Sequence, residues 1–527
     1  MKKSRRRCLL AASLALGFIQ CEADCEEKGT CGPFMTADGT GGMSGTGGNG
    51  GGATGTPAGS GGTMSMTAAG GATGAGGAAD GGAGGMGADC DGASSPSAEP
   101  CLVADEFAVF VSPDGDDDDG GTMTDPVATF ARAVELATED EKIVVACSGD
   151  YDEEVVIDAG VRVYGSFDCD DDWAYAPDEP SVVAPGTSGF ALQVRDASGE
   201  VVIEDVQFVA RDAVAPGESS VAGFVSESAR VTLRRVVLEA RSGAAGDDGM
   251  NPGFASQFPE VTELQGIDGD VTSGGEKPAC ECPGGATTTA GSGGGLGEDG
   301  DIGLPDHTGP GGEGGNALAQ CSGGGGLASG QPGAPGPSPD DASGAALLGM
   351  LDAGGFVPSG GANGEHGAPG QGGGGGAGKT AGGGGSGGCG GRGGPGGQGG
   401  GASIALLVFE STVTIEASEL VANDGADGGD GAAGEMGQQQ FGGGGDGFGV
   451  GDGGCDGGNG GIGGNGASGG GGAGGISAGV VWAGDAEPVI DEETSIEVGD
   501  PGGGGEGGTP GDNDGIDGEA EDVIELE

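Results

Sequence analysis

Four stretches of the chain share one plan, and none of them can bury its own apolar face. FALQVRDASGEVVIEDVQFVAR at 190–211 and VAGFVSESARVTLRRVVLEAR at 221–241 each place a short apolar run, a polar corner and a second run alternating apolar and polar. SIALLVFESTVTIEASELVAN at 403–423 and SAGVVWAGDAEPVIDEETSIEV at 477–498 repeat the plan among glycines. A lone unit leaves its apolar edge bare, whereas stacked units cover one another, so the repeat predicts rungs of one coil of strands about 4.8 Å apart. Alternation turns Val201, Ile203, Val206 and Phe208 inward, then Val231, Leu233, Val236 and Leu238, then Val413, Ile415 and Leu420, with a bend near Asp205.

The first part of this coil starts near Phe107. A short strand, the acidic loop DGDDDDG at 114–120 and an amphipathic helix over 127–137 come first, with Phe130, Val134 and Ala137 on one face. Runs at 143–147, 154–157, 161–167 and 181–184 then read as short strands, without long helices between them. The helix is placed to cap the open end of the coil and block edge pairing there. The expected class is all-β.

VSPDGDDDDGGTMTDPVATFARAVELA at 111–137 resembles the opening of bacterial right-handed parallel β-helix, or pectin-lyase-like, proteins. VYGSFD at 163–168, followed by Trp173, is similar to a second family feature, with Ser166 where a second glycine is usual. The resemblance covers 107–241 and the two later rungs. It implies a right-handed parallel β-helix with an N-terminal capping helix, and it says nothing definite about activity. The layout of leader, glycine-rich tether and interrupted β-helix also resembles glycine-rich (PGRS-like) surface proteins of myxobacteria.

Between and around the rungs the chain is dominated by glycine, 137 residues of it. Residues 35–106 read as a low-complexity linker, of which 35–88 alone would reach on the order of 40 Å as a coil. The insertions 242–402 and 424–476 both follow the same element of a rung, so their feet should be neighbours at one corner. They lack the strict period of collagen and are expected to be disordered or loosely packed loops. The alternative is an ordered layer of extended glycine strands pinned by Cys280, Cys282, Cys321, Cys389 and Cys455. Residues 499–527 read as a mobile acidic tail.

Residues 1–20 read as an export signal, with Lys2, Lys3, Arg5, Arg6 and Arg7 ahead of an apolar stretch too short to span a membrane. Residues 21–34 form a cysteine-rich start of the mature chain. Cleavage after Gly17 and a lipobox-like cut before Cys21 are both open; the second would lipidate Cys21, although Gln20 and Phe18 depart from the usual pattern. Of 13 cysteines, Cys8 leaves with the signal, and the even remainder suits disulfides in an oxidising compartment. The net charge of −65 excludes nucleic acid as a partner and disfavours anionic membrane surfaces. Membrane attachment is expected only through the lipid.

For chemistry, Asp114, Asp116, Asp118 and Asp125 take positions 1, 3, 5 and 12 of a calcium loop. Calcium is the one cofactor the sequence suggests; Asp119 where glycine is needed and the lack of an entering helix oppose it. Asp168, Asp170, Asp171 and Asp172 form a second acidic group. Zinc, phosphate-loop and glycine-rich calcium-repeat patterns are incomplete. Arg230, Arg234, Arg235 and Arg241 gather on one rung and are expected to form outside ion pairs. No catalytic set is evident. The expectation is an exported cell-surface or extracellular protein, structural or adhesive, meeting polysaccharide, matrix or other cells. The alternative is a calcium-assisted carbohydrate-active β-helix.

Overall fold

The computed structural model describes residues 90–526 apart from 187–188, 252–256, 308–310, 320, 322–327 and 450–452. Cys21, the export signal and the linker up to residue 89 lie outside the described residues. Three sheets, each formed by parallel pairing of successive rungs, make a parallel β-helix. Sheet 1 runs Ala108–Val111, Ile143–Cys147, Arg162–Asp168, Glu200–Glu204, Arg230–Arg234, Val413–Glu416 and Val489–Ile490. Sheet 2 runs Gly149–Tyr151, Ser181–Val183, Val206–Val209, Val237–Glu239, Glu419–Val421 and Ser495–Glu497. Sheet 3 runs Val155–Ile157, Leu192–Arg195, Ser220–Ser226, Ser403–Phe409, Ser477–Ala483 and Ala520–Glu525.

Register carries the core from rung to rung. Val201 pairs with Val231 and Val231 with Val413, while Ile203, Leu233, Ile415 and Ile490 form the next column. The inward set read from the alternation is buried in one cluster. Corners repeat as faithfully as strands. Asp205, Arg235 and Ala417 turn from sheet 1 to sheet 2 with left-handed φ of 58°, 50° and 47°. Asp196, Glu227 and Glu410 do the same from sheet 3 to sheet 1, at 52°, 48° and 47°. Each corner amide is held by the next rung: Asp205 N–H donates to the Arg234 carbonyl and Arg235 N–H to that of Glu416. Ser166 has φ of 63°, which explains why glycine suits that position.

Helix α1, Phe130–Asp140, closes the first rung, with Phe130, Ala133, Val134 and Ala137 buried against it. Its entrance is set by two carboxylates and a threonine. Asp117 accepts from the N–H groups of Ala128 and Thr129, both at 2.9 Å, and from the Thr129 hydroxyl. Glu153 accepts from Phe130 N–H, and Thr129 Oγ1 caps Arg132 N–H. Asp117→Ala is therefore expected to lower the unfolding free energy by about 1 kcal/mol, read from denaturant midpoints at unchanged slope. The ordered part begins before Phe107: Cys90 and Cys101 are disulfide-bonded, and Leu102 is buried within the short 3-10 turn Pro100–Leu102.

The glycine-rich stretches correct the expectation of loose loops. Apart from the short helix Val261–Leu264 and the two antiparallel hairpins Ala279–Glu281 with Thr287–Thr289 and Gly349–Asp352 with Gly355–Pro358, long runs of their described residues form extended segments that hydrogen-bond to one another every third residue. Gly361, Gly364, Gly367 and Gly370 donate in turn to the carbonyls of Gly397, Gly394, Gly391 and Gly388. Gly388, Gly391 and Gly394 donate onward to Gly461, Gly464 and Ala467, whose own amides donate to Gln371, Ala368 and Glu365. Three segments thus bond around a closed triangle, one running against the other two. A repeat of three with extended backbone is polyproline-II geometry, about 9 Å per turn, here in a bundle of mixed direction rather than a collagen rope.

The bundle grows with the solenoid. Every excursion leaves after sheet 2 and returns into sheet 3, so the feet are neighbours: Gly243 N–H donates to Asp424, and Gly425 N–H to Asp500. The stretch after 498 is a third and shorter excursion, not a mobile tail. Gly502, Gly505 and Gly508 donate to Gly475, Gly472 and Gly469, and the chain returns as the strand Ala520–Glu525. Composition follows packing. The segment GGSGGCGGRGGPGGQ at 384–398 lies between several neighbours and has two glycines per triplet. GANGEHGAPGQG at 361–372 and GADGGDGAAGEM at 425–436 have a single glycine in three of their four triplets. Two disulfides, Cys282–Cys389 and Cys321–Cys455, staple the bundle, and Cys147–Cys169 fastens the early rungs.

Candidate functional surfaces

The acidic loop does not assemble the expected calcium set. Asp116 Oδ1 accepts from Asp118 N–H, Asp125 Oδ2 from the Thr124 hydroxyl, and Asp114 N–H donates to Ser112 Oγ. Asp117, which falls between the expected ligands, caps α1. Among the described residues no three of His, Cys, Asp and Glu converge as a metal-holding group, Asp114, Asp116, Asp118 and Asp125 included. The carboxylates of Asp116 and Asp125 take a neighbouring amide and hydroxyl, while Asp114 and Asp118 enter the loop's bonds through their backbone N–H groups.

The arginines meet carboxylates across rungs. Glu204 is 1% exposed and receives Arg234 at 2.7 Å and Arg235 at 2.8 Å. Arg235 also grips Asp205 through two nitrogens, Arg234 reaches Glu416 at 2.7 Å, and the Tyr175 hydroxyl donates to Asp205. The hydrogen bond to Asp205, with the surrounding carboxylates, raises the Arg235 pKa further above its ordinary value. Arg230 pairs with Glu200 and Arg241 with Glu239. This ionic network locks three rungs, with two arginines set against the three carboxylates of Glu204, Asp205 and Glu416.

The acidic surface of the bundle has a structural part that the sequence reading missed. Asp424, Asp427 and Asp430 each accept the amide of the next segment, from Asp500, Gly503 and Glu506, at 2.9, 2.7 and 2.7 Å. Asp248, Asp268, Asp456, Asp514 and Asp517 make the same kind of bond. An aspartate at every third residue beside glycine was the available signal, since that spacing returns a side chain to one face of a three-fold helix. His366 serves similarly, accepting from Gly393 N–H, and His307 bonds the Pro369 carbonyl.

These bonds give a pH prediction. Amide donation from Thr272 holds Asp270 down at about 2, and donation from Ser468 and Gly507 depresses Asp341 and Asp514. A Thr494 hydroxyl depresses Asp491. Carboxylates depressed in the folded state stabilise it above their unfolded pKa, and that contribution is lost as pH falls through the folded value. Glu153, raised chiefly by burial, works in the opposite sense. With salt added to screen general repulsion, thermal stability should fall between about pH 4 and pH 2, and Asp514→Asn should remove part of that slope.

A cleft of about 440 Å³ lies at the far end of the bundle beside the Cys321–Cys455 bond, with Leu296, Leu318 and Lys379 on its rim. No helix among the described residues is long and apolar enough to cross a membrane.

No protein-family model matches the chain, and no curated protein does. Among solved structures, the GH136 lacto-N-biosidase of Eubacterium ramulus is similar over 25% of this chain and 26% of that one, at 11% identity and a TM-score of 0.21. The match thus spans about a quarter of that enzyme's length and carries no inference about activity.

Proposed function

We propose that the protein is an exported, surface-attached structural or adhesive element. In this reading the β-helix is a stiff stem and the glycine bundle is the face it presents. One observation carries it: three excursions from one corner of the solenoid pack into a single hydrogen-bonded bundle, which turns low-complexity sequence into a broad, regular surface. Such a surface suits many weak contacts with polysaccharide, matrix or neighbouring cells. The cross-rung bonds of Arg234 and Arg235 and the helix-capping bonds of Asp117 give these side chains structural partners, which supports a structural reading.

Four disulfides fit an oxidising compartment. Cys280 is the single free thiol among the described cysteines. The test is retention of the intact mature protein on a panel of acidic and neutral polysaccharides and on whole cells. Alongside it runs an ultraviolet assay for unsaturated products, with and without calcium. Retention without product is expected and should weaken when the bundle is opened. Calcium-dependent product would overturn the reading in favour of a lyase; absence of retention on every surface would also sink it.

A further inference from the structure

The two ends of the solenoid are finished differently. At the first rung, α1 packs on the strands Ala108–Val111, Ile143–Cys147 and Val155–Ile157. At the other end Val489–Ile490, Ser495–Glu497 and Ala520–Glu525 are terminal strands of their sheets, each paired on one side only. Among the described residues no element covers them. The core shows there: Ile490, Ile496 and Val523 pack on the central cluster but are only partly buried, and Val489 is 60% exposed. Three bare edges and a half-covered apolar core make a template for one more rung.

Charge says what could add to it. The last cation in the sequence is Arg392; residues 393–527 carry 26 Asp and Glu and no Lys, Arg or His. Exposed acids surround the terminal rung, among them Glu487, Glu493, Glu497, Glu521 and Glu525. Earlier rungs pair some of their acids with arginine, and among the described residues of the stack the pair farthest along the chain is Arg234–Glu416. A second copy would meet this end with the same sign, and its opposite end is closed by α1.

We propose that the open end of the solenoid docks an extended cationic segment of another protein, alternating Lys or Arg with β-branched apolar residues, which pairs as an added strand. Main-chain bonds to the bare edges supply affinity, apolar side chains cover Ile490, Ile496 and Val523, and the cations meet the acidic rim. This does not rest on the adhesive reading, because it concerns the stem's end rather than the bundle.

The test uses the whole mature chain and three fluorescent peptides: an alternating Lys/Val heptamer, its Glu/Val counterpart, and a Lys heptamer of equal charge with prolines in place of valines. Anisotropy should show binding of the first alone, weakening as salt rises. Amide exchange within 519–526 should slow on binding. Glu521→Gln with Glu525→Gln should weaken binding about tenfold, whereas Glu263→Gln with Glu276→Gln should leave it unchanged. Equal binding of the proline peptide would reduce the effect to bulk electrostatics and overturn the proposal. Concentration-dependent self-association that protects 519–526 would assign the end to a second copy instead.

Discussion

Gly391→Ala should open the glycine bundle while leaving the β-helix folded. A methyl group at Gly391 would fall inside contact distance of the Glu435 carbonyl and the Gly437 amide, both backbone atoms without a rotamer to yield. The residue is bonded on two other sides as well: its amide donates to Gly464, and its carbonyl accepts from Gly367. Moving one neighbour away therefore breaks the ladder to another. Overpacking of a tight interior costs about 1–3 kcal/mol, and loss of net hydrogen bonding adds about 1 kcal/mol per bond. The sign is diagnostic, because Gly→Ala in an unstrained site stabilises by about 0.4–1 kcal/mol through the unfolded chain. Gly120, with open space where the methyl would go, is the matched control. Hydrogen exchange should show amides across 361–401 losing protection in Gly391→Ala, while those of Val231–Arg234 keep theirs. Equal protection of 361–401 in the variant would mean that the segments are not packed on one another.

The solenoid was legible because its signal is chemical. Inward valines and isoleucines differ from their polar neighbours, so period two survives in columns such as Val201, Val231 and Val413. The shared corner was legible too, from the similar sequences that follow Glu239 and Leu420. The bundle was hidden for a physical reason. Its interior contacts are made by backbone, and glycine gives the same letter whether it packs or floats. Only residues at the third position, Ser386, Cys389, Arg392, Pro395 and Gln398, mark the period, and they share no polarity. Length misled further: each segment holds its period briefly and then turns, so the global test against collagen failed while the local repeat was present. In the acidic loop the structural signal was also hidden. Its spacing fits a calcium site on paper, but Asp117, outside that spacing, makes the structural bonds.

Reduction of the two bundle disulfides is the second large effect expected. Cys282–Cys389 spans 107 residues and Cys321–Cys455 spans 134. Closing loops of that size removes on the order of 4–5 kcal/mol of chain entropy each from the unfolded ensemble, on the loop-entropy account. The short spans of Cys90–Cys101 and Cys147–Cys169, 11 and 22 residues, contribute less. A bundle poor in apolar side chains has little hydrophobic burial to replace that constraint, whereas the solenoid holds a continuous core from Val109 to Trp482. The two parts should therefore separate in stability: after reduction, bundle amides exchange freely while sheet amides remain protected. Timing provides a second check. Cys389 is buried completely and Cys282 and Cys455 nearly so, so alkylation of these thiols should follow opening of the bundle rather than precede it. Cys282→Ser with Cys389→Ser should reproduce the opened state without reductant. Full protection of 361–401 in that double variant, at ordinary denaturant sensitivity, would show that backbone packing alone holds the bundle, and the staples would then be guards against opening rather than a source of its stability.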